Sequence, residues 1–209
     1  MDASTKDRIL TSAVGLFAGQ GYAATSVRQI CEAADANVAS VNYHFGSKRG
    51  LYDASLDYAR ARSNASNRWV ELDTERDFWS DHPPYERLQY FIAMLIDHAL
   101  THEGKASDLS RMMIHEMLDP TPAFERQVEL SIGRVFDALV TACREVAGPN
   151  ARLADVRRIA MLVSAQCIYP SLIASAMPHL YPGLRFDKGG RRQLAGAIAN
   201  NTHIALKAL

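Results

Sequence analysis

The stretch that decides the fold runs from Thr25 to Lys48 and reads TSVRQICEAADANVASVNYHFGSK. It predicts two short helices separated by a tight polar turn, the arrangement known as helix-turn-helix. Ser26 is expected to cap the first helix, because its hydroxyl can accept a hydrogen bond from an unpaired backbone N–H. Helical spacing then places four side chains on one inward stripe: Val27, Ile30, Cys31 and Ala34.

The second helix has little to bury. Asn37 is a strong predicted cap, and Val41 and Phe45, four residues apart, can pack inward together. The outer face is left with side chains that are mostly small or polar: Val38, Ala39, Ser40, Asn42 and Tyr43. A helix with such a face is presented to a partner, and in this architecture the usual partner is the DNA major groove.

The end of the segment has features that suit a phosphate. Gly46 can end the second helix in the left-handed conformation, and Ser47 can cap the helix that follows. Lys48 and Arg49 then fall in the first turn, where positive charge opposes the helix dipole. A bound phosphate would more than offset that cost, because helix N-termini are natural anion sites.

From Ile9 through Leu51 the chain resembles the N-terminal domain of TetR-family transcriptional regulators, most specifically over Tyr43 to Lys48. The residues that carry the resemblance are Ile9, Ala13, Leu16, Phe17, Gly21, Tyr22, Thr25, Ser26, Val27, Ile30, Ala33, Ala34, Asn37, Val41, Tyr43, Phe45, Lys48 and Leu51. A later stretch, Met112 to Phe124 (MMIHEMLDPTPAF), is similar to the second domain of the branch that resembles the CecR regulators.

The resemblance implies roles for particular residues. Tyr43, His44 and Lys48 are implied to contact backbone phosphates, Asn37 to Asn42 to lie in the major groove, and Arg28 to sit near a phosphate of one strand. The predicted DNA-binding residues are Ser26, Arg28, Asn37, Val38, Ala39, Ser40, Asn42, Tyr43, His44 and Lys48.

Three residues depart from the family pattern. Asp35 stands where the family commonly has glycine in the turn, although aspartate tolerates left-handed φ better than most residues. Val38 and Asn42 stand where many members have aromatic and basic residues. These departures concern which residues read the bases and leave the implied mode of binding unchanged.

Composition is ordinary for a globular protein. The chain has 209 residues, 48% of them hydrophobic and 22% charged, with a formal net charge of zero. A neutral chain is expected to have modest non-specific affinity for DNA and to form an operator complex that is sensitive to salt. The odd count of three cysteines, none in a CxxC pair, argues against a disulfide framework or a structural zinc site. We expect Cys31 and Cys167 to be buried.

The predicted fold class is all-α, with about nine helices and no strand. An N-terminal helix-turn-helix domain of three helices spans residues 1–48, and a helical bundle for ligand binding and dimerisation spans residues 49–209. Outside the quoted stretch, helices are predicted at residues 6–18, 47–67, 85–101, 108–118, 121–146, 151–177 and 191–209. No signal architecture and no membrane-length apolar run is visible, so a cytoplasmic location is expected.

The helix predicted at residues 151–177 is apolar over more of its circumference than one intramolecular face needs. Its small residues, Ala160, Ser164, Ala165, Ala174 and Ser175, allow another helix to approach closely. In the family the last two long helices of each subunit form a four-helix bundle, so we expect a homodimer through these helices. Two recognition helices roughly 34–36 Å apart would read a palindromic double-stranded operator.

A pocket for an unidentified small-molecule effector is expected in the helical bundle, mainly from the resemblance. The candidate lining residues are adaptable, aromatic or polar: Phe91, Met94, Leu95, Met112, Met113, His115, Phe136 and Tyr169. Ordinary core packing is the alternative for each of them. His98 and His102 have the spacing of a shared metal site, but a pair of half-exposed histidines near a helix end is favoured, and no metal is predicted.

The sequence therefore predicts a DNA-binding transcriptional regulator, a ligand-responsive repressor that acts as a homodimer. The competing class is a small-molecule sensing module that has lost DNA binding and acts through protein partners, which zero net charge and Asp35 would suit. An enzyme is not predicted, because the chain has no GxSxG, Walker or HExxH motif. No cofactor is predicted.

Overall fold

A computed structural model describes residues 4–66, 81–100 and 106–209. These residues form eleven α-helices and one π-helix without a strand, so the predicted all-α class is confirmed. The helices are α1 Thr5–Ala24, α2 Val27–Ala33, α3 Val38–Phe45, α4 Lys48–Ser66, α5 Pro84–Ala99, α6 Asp108–Leu118, α7 Phe124–Gln127, a π-helix Val128–Ile132, α8 Gly133–Ala147, α9 Leu153–Ile173, α10 Met177–Leu180 and α11 Lys188–Lys207.

The count exceeds the predicted nine because two short helices were not expected. The single helix predicted at residues 121–146 is divided into α7, the π-helix and α8. A Cβ at Gly133, where α8 begins, would lie 2.9 Å from the carbonyl oxygen of Val128, so the widened turn packs tightly there. The second unexpected helix, α10, lies in the segment predicted as a loop, and α9 ends at Ile173 rather than at Met177.

The chain divides into two compact units, and the division does not fall between residues 48 and 49, where the domain boundary was predicted. The first unit contains α1 to α4 together with α6, and the second contains α5 and α8 to α11. The helix α4 packs with the first unit because Leu51, Tyr52 and Leu56 are fully buried in the same core as α1.

The core of the first unit joins all of its helices. Ile9 and Phe17 from α1, Ile30 from α2 and Val41 from α3 are fully buried, and Met112 from α6 completes the cluster. These contacts bury most of the inward stripe that the helical spacing predicted, since Cys31 and Ala34 are buried beside Ile30 and Val27 packs partly buried against the same core.

A buried polar cluster ties α4 to α6 inside the first unit. The Tyr52 hydroxyl donates to Oε1 of Glu116 at 2.6 Å, and the Thr121 hydroxyl donates to the same oxygen at 2.8 Å. The backbone N–H of Thr121 donates to Oε2 at 3.2 Å. Burial, and next the hydrogen bond to Glu116, raise the pKa of Tyr52. Since Glu116 is only 1% exposed, these donors replace the water that the carboxylate loses.

The second unit has its own core, formed by α5, α8, α9 and α11. Leu88 and Phe91 of α5, Leu139 of α8 and Val163 of α9 are buried together. The last helix begins three residues earlier than predicted because Asp187 caps it, accepting from the N–H of Gly190 at 2.9 Å.

All three cysteines are free and buried, as expected for Cys31 and Cys167. Burial raises the pKa of both Cys143 and Cys167 to about 12. Thiols with so high a pKa remain protonated at neutral pH and are poor nucleophiles. Across residues 4–66, 81–100 and 106–209, no helix combines the length and apolar composition that crossing a bilayer requires.

The second unit is expected to lose stability in mild acid through His98. Burial lowers the pKa of His98 from 6.5 to about 4, so the unfolded chain takes up a proton at a higher pH than the folded chain does. The contribution of the neutral imidazole is therefore complete above pH 6.5 and is lost as the pH falls towards 4. Urea unfolding at pH 7.5 and at pH 5 measures the loss. A His98→Gln variant should lose less stability than the wild type between the same two pH values, and an equal loss would contradict the prediction.

Candidate nucleic-acid interface

The helix α2 begins with a reciprocal cap. The N–H of Gln29 donates to the Ser26 hydroxyl oxygen at 3.2 Å, and the Ser26 N–H donates to the Gln29 side-chain oxygen at 2.7 Å. This capping box satisfies two otherwise unpaired N–H groups. The predicted cap at Ser26 is confirmed. The Ser-x-x-Gln spacing in the sequence is the signal for the second hydrogen bond, which Gln29 accepts. Arg28, predicted near a phosphate, is exposed on α2.

The turn between α2 and α3 depends on two residues. Asp35 has φ of 48°, the left-handed conformation that the sequence predicted it to tolerate. Arg8 of α1 donates from Nε to the carbonyl of Ala34 at 3.1 Å and from Nη2 to the carbonyl of Asp35 at 3.2 Å. A guanidinium at the carboxyl end of α2 satisfies free carbonyls and complements the helix dipole. Arg8 carries no local sequence signal for this contact.

The helix α3 is capped by Asn37, as predicted. Its side-chain oxygen accepts the N–H of Ser40 at 2.7 Å and the Ser40 hydroxyl at 2.9 Å. Val41 is fully buried and Phe45 is partly buried, so the helix packs through the two predicted residues. Most of its outer face is open to solvent, with Ser40 half-buried: Asn37, Val38, Ala39, Asn42, Tyr43 and His44 are exposed.

The carboxyl end of α3 is exposed and aromatic. The Tyr43 side chain is 84% exposed, and its ring meets the ring of His44 edge-on at a centroid distance of 4.9 Å. Gly46 ends the helix with φ of 74°, in the positive range where glycine is favoured.

The first turn of α4 approaches the end of α3 very closely. The Ser47 hydroxyl accepts the N–H of Gly50 at 3.1 Å, which confirms the predicted cap. A Cβ on Gly50 would overlap the carbonyl oxygen of Phe45, so only glycine fits there. The N–H groups of Lys48 and Arg49 find no acceptor among residues 4–66, 81–100 and 106–209. Two free N–H groups and two cations at one helix start form a surface suited to a phosphate oxygen.

Two family models match the chain. The model described as "Bacterial regulatory proteins, tetR family" matches residues 9–55. The model described as "HTH-type transcriptional dual regulator CecR, C-terminal domain" matches residues 84–209, more than half of the chain. The chain belongs to the TetR family of transcriptional regulators. Both resemblances noted in the sequence are thereby confirmed, and the TetR family consists of DNA-binding regulators rather than enzymes.

Individual relatives agree with this assignment. The probable HTH-type transcriptional regulator YttP of Bacillus subtilis is 51% identical over 53 residues, which are 25% of this chain and 26% of YttP. The HTH-type transcriptional repressor NicS of Pseudomonas putida is 27% identical over 114 residues, 54% of this chain and 50% of NicS. The chain thus spans half or less of the length of these curated relatives. A TetR-like regulator from Rhodococcus sp. RHA1 shares the fold, with a TM-score of 0.69 and 16% identity over 96% of each chain.

Three of the predicted pocket residues lie on α6 in the first unit of this TetR-family chain. Met112 is fully buried in the core, and Met113 packs partly buried against it. The ring of His115 lies against α1, since a Cβ on Gly21 would come within 3.1 Å of its Nδ1. Gly21 has φ of 79°, which also favours glycine at that place.

The other five predicted pocket residues lie in the second unit. Phe91 is fully buried and Met94 is 8% exposed, while Leu95 and Phe136 pack partly buried against the same core. Tyr169 differs from them, because 58% of it is exposed on α9. The assignment of all eight residues to a pocket stays a prediction.

Metal ligands do not converge in the described part of the chain. No group of three or more histidine, cysteine, aspartate or glutamate side chains is placed there to hold a metal ion. His98 lies on α5, whereas His102, its possible partner, is outside the described residues.

The close approach at Gly50 predicts a strong effect of a single methyl group. We expect Gly50→Ala to destabilise the protein by about 1–3 kcal/mol, because the end of α3 must move to admit the Cβ. Urea unfolding measures the change. Gly15→Ala is the matched control: a Cβ at Gly15 meets nothing within 4 Å in α1, so this change should be neutral or stabilise by up to about 1 kcal/mol. Equal stability of the two variants would show that α3 and α4 do not approach as described.

Proposed function

We propose that this TetR-family regulator is a ligand-responsive repressor that acts as a homodimer on a palindromic operator. The observation that carries the proposal is the exposed outer face of α3, bounded by exposed Tyr43 and His44 and by the N–H groups of Lys48 and Arg49, which have no acceptor among the described residues. The small side chains of that face permit close approach to base edges, and the polar end suits backbone phosphates. Such a repressor would act in the cytoplasm, where the bacterial chromosome lies.

Repression is favoured by the names of two relatives. NicS is named a transcriptional repressor, and the Staphylococcus aureus protein IcaR is named a negative transcriptional regulator. The CecR regulator, whose C-terminal domain model matches residues 84–209, is named a dual regulator. The proposed sign of regulation in this chain therefore follows the relatives that are named as repressors.

The homodimer is supported by apolar side chains left in solvent on the two long helices of the second unit. Met161, Leu162 and Leu172 of α9 and Ile204 of α11 are each more than half exposed. Exposed apolar patches of this kind mark association surfaces. Ala160 does not belong to the surface, contrary to expectation, because it is fully buried in its own core. Of the remaining small residues on this stretch, Ala165 and Ser175 are exposed.

Ligand response would be a shift between two dimer states. A ligand that prefers the dimer with mis-spaced recognition helices would shift the population away from the DNA-bound state. The shift cannot exceed the difference in its affinity for the two states. The family match over residues 84–209 supports a sensing role for this region, and the candidate residues of each unit remain our proposal for effector contacts within that unit.

Operator binding should depend on Tyr43 and Lys48. We expect Tyr43→Phe and Lys48→Ala each to weaken binding by roughly tenfold, because a hydrogen bond to a charged phosphate oxygen is lost. Lys48→Ala should also reduce the slope of log K against log salt by about 0.9 per subunit. Fluorescence anisotropy with a labelled duplex from the region upstream of the gene measures both quantities.

The control for this experiment is Arg144→Ala, which removes an exposed cation from α8 in the second unit. It should leave the affinity and the salt slope unchanged. If Tyr43→Phe and Lys48→Ala behaved like the control, the assigned docking on DNA would be wrong. Failure of the wild type to bind any upstream duplex at moderate salt would favour the sensing module without DNA binding.

Dimerisation should be sensitive to charge on α9. Leu162 is 55% exposed, and Leu162→Glu would place a charge in the proposed interface without disturbing the core of its own subunit. We expect the dimer dissociation constant to rise by at least about thirtyfold, the effect of an interface hot spot. Leu118→Glu, on an exposed side chain of α6 in the first unit, is the control and should leave the dimer intact. Sedimentation over a range of concentrations distinguishes them, and a Leu162→Glu dimer as tight as the wild type would place the interface elsewhere.

A further inference from the structure

Lys48, at the start of α4, lies over an aromatic ring. Its Nζ is 4.3 Å from the centroid of the Tyr22 ring. Tyr22 follows Gly21, where positive φ turns the chain out of regular helix near the end of α1. The ring is fixed from its other sides by Tyr52 at a centroid distance of 4.9 Å and by Phe17 at 6.1 Å. Both neighbours are buried, so the platform beneath Lys48 is part of the core of the first unit.

The ring compensates for an unfavourable position of the charge. A cation at the first residue of a helix is repelled by the positive end of the helix dipole. Partial burial also lowers the pKa of Lys48, because the charged form loses part of its hydration there. The negative face of an aromatic ring attracts an ammonium at this distance. Tyr22 thus stabilises the Lys48 ammonium at a position where the helix dipole and the loss of hydration are both unfavourable to a positive charge.

Lys48 is also the first residue of α4, and the start of a helix is where an anion binds. The N–H groups of Lys48 and Arg49 donate to no acceptor within the described ranges of the chain, and both belong to the same helical turn. A phosphate oxygen at this turn would meet free N–H donors and the Lys48 charge together. A lysine side chain free in solution loses conformational freedom when it binds, whereas one already stacked on a ring loses less.

We propose that Tyr22 is a positioning residue for DNA binding, which holds the Lys48 ammonium ready for a backbone phosphate without contacting DNA itself. The inference rests on the proposed phosphate contact of Lys48. The proposal gives Tyr22 a role in the affinity for DNA, in addition to its role in the core. The ring face supplies the effect, so phenylalanine should replace tyrosine at position 22 and leucine should not.

The test is a double-mutant cycle on the full-length protein with a labelled duplex from the region upstream of the gene. Tyr22→Leu should weaken binding by about two- to thirtyfold, the range of a cation–π contact, and should reduce the salt slope. Tyr22→Phe should bind like the wild type. In a Lys48→Ala background, Tyr22→Leu should cause no further loss of affinity, because the charge that it positions is already absent.

Tyr52→Phe is the control for a loss of DNA binding that comes only from lower protein stability. This variant keeps the ring beside Tyr22 but removes the hydrogen bond to buried Glu116, so it should unfold more easily while its salt slope stays that of the wild type. Independent losses from Tyr22→Leu and Lys48→Ala that multiply in the double variant would overturn the inference. So would a weakened Tyr22→Phe variant. If Lys48→Ala alone had no effect, the proposed phosphate contact would fail first, and the inference with it.

Discussion

The contact on which the proposed DNA-binding surface depends is the close approach of α4 to the end of α3 at Gly50. The absence of a side chain there lets the helix start against the carbonyl of Phe45. Leu51 and Tyr52 then enter the core directly, with 0% and 1% of their surfaces exposed. The same turn therefore anchors α4 inside the protein and leaves Lys48 at the edge of the exposed face of α3.

The helix α3 is too short to be stable alone. It has eight residues, whereas isolated helices shorter than roughly 12–15 residues are marginal in water. Its stability comes from the Asn37 cap, from burial of Val41 and from neighbours that fix the preceding turn. Arg8 contributes to that turn from α1. Because Val41 and Arg8 support the helix and its turn from the inner side, the outer face can remain small and polar without unfolding the helix.

The buried Glu116 helps to hold α6 in the first unit. A carboxylate removed from water needs hydrogen-bond donors, and Tyr52 and Thr121 provide them within the first unit. Together with Met112, this joins α6 to α1 and α4 although α5 packs in the second unit. The predicted boundary after residue 48 follows the motif, whereas the packing follows the shared core.

Sequence alone determined the features that depend on residues within four positions of each other. Local spacing predicts the caps at Ser26 and Asn37, the inward stripe of α2 and the mostly small or polar outer face of α3, because a helix repeats over that distance. Tertiary structure alone decided the contacts of Arg8 with the turn, of Tyr22 with Lys48 and of Tyr52 with Glu116, the last pair 64 residues apart. Such contacts join positions that carry no common periodic pattern, so only the folded chain reveals them.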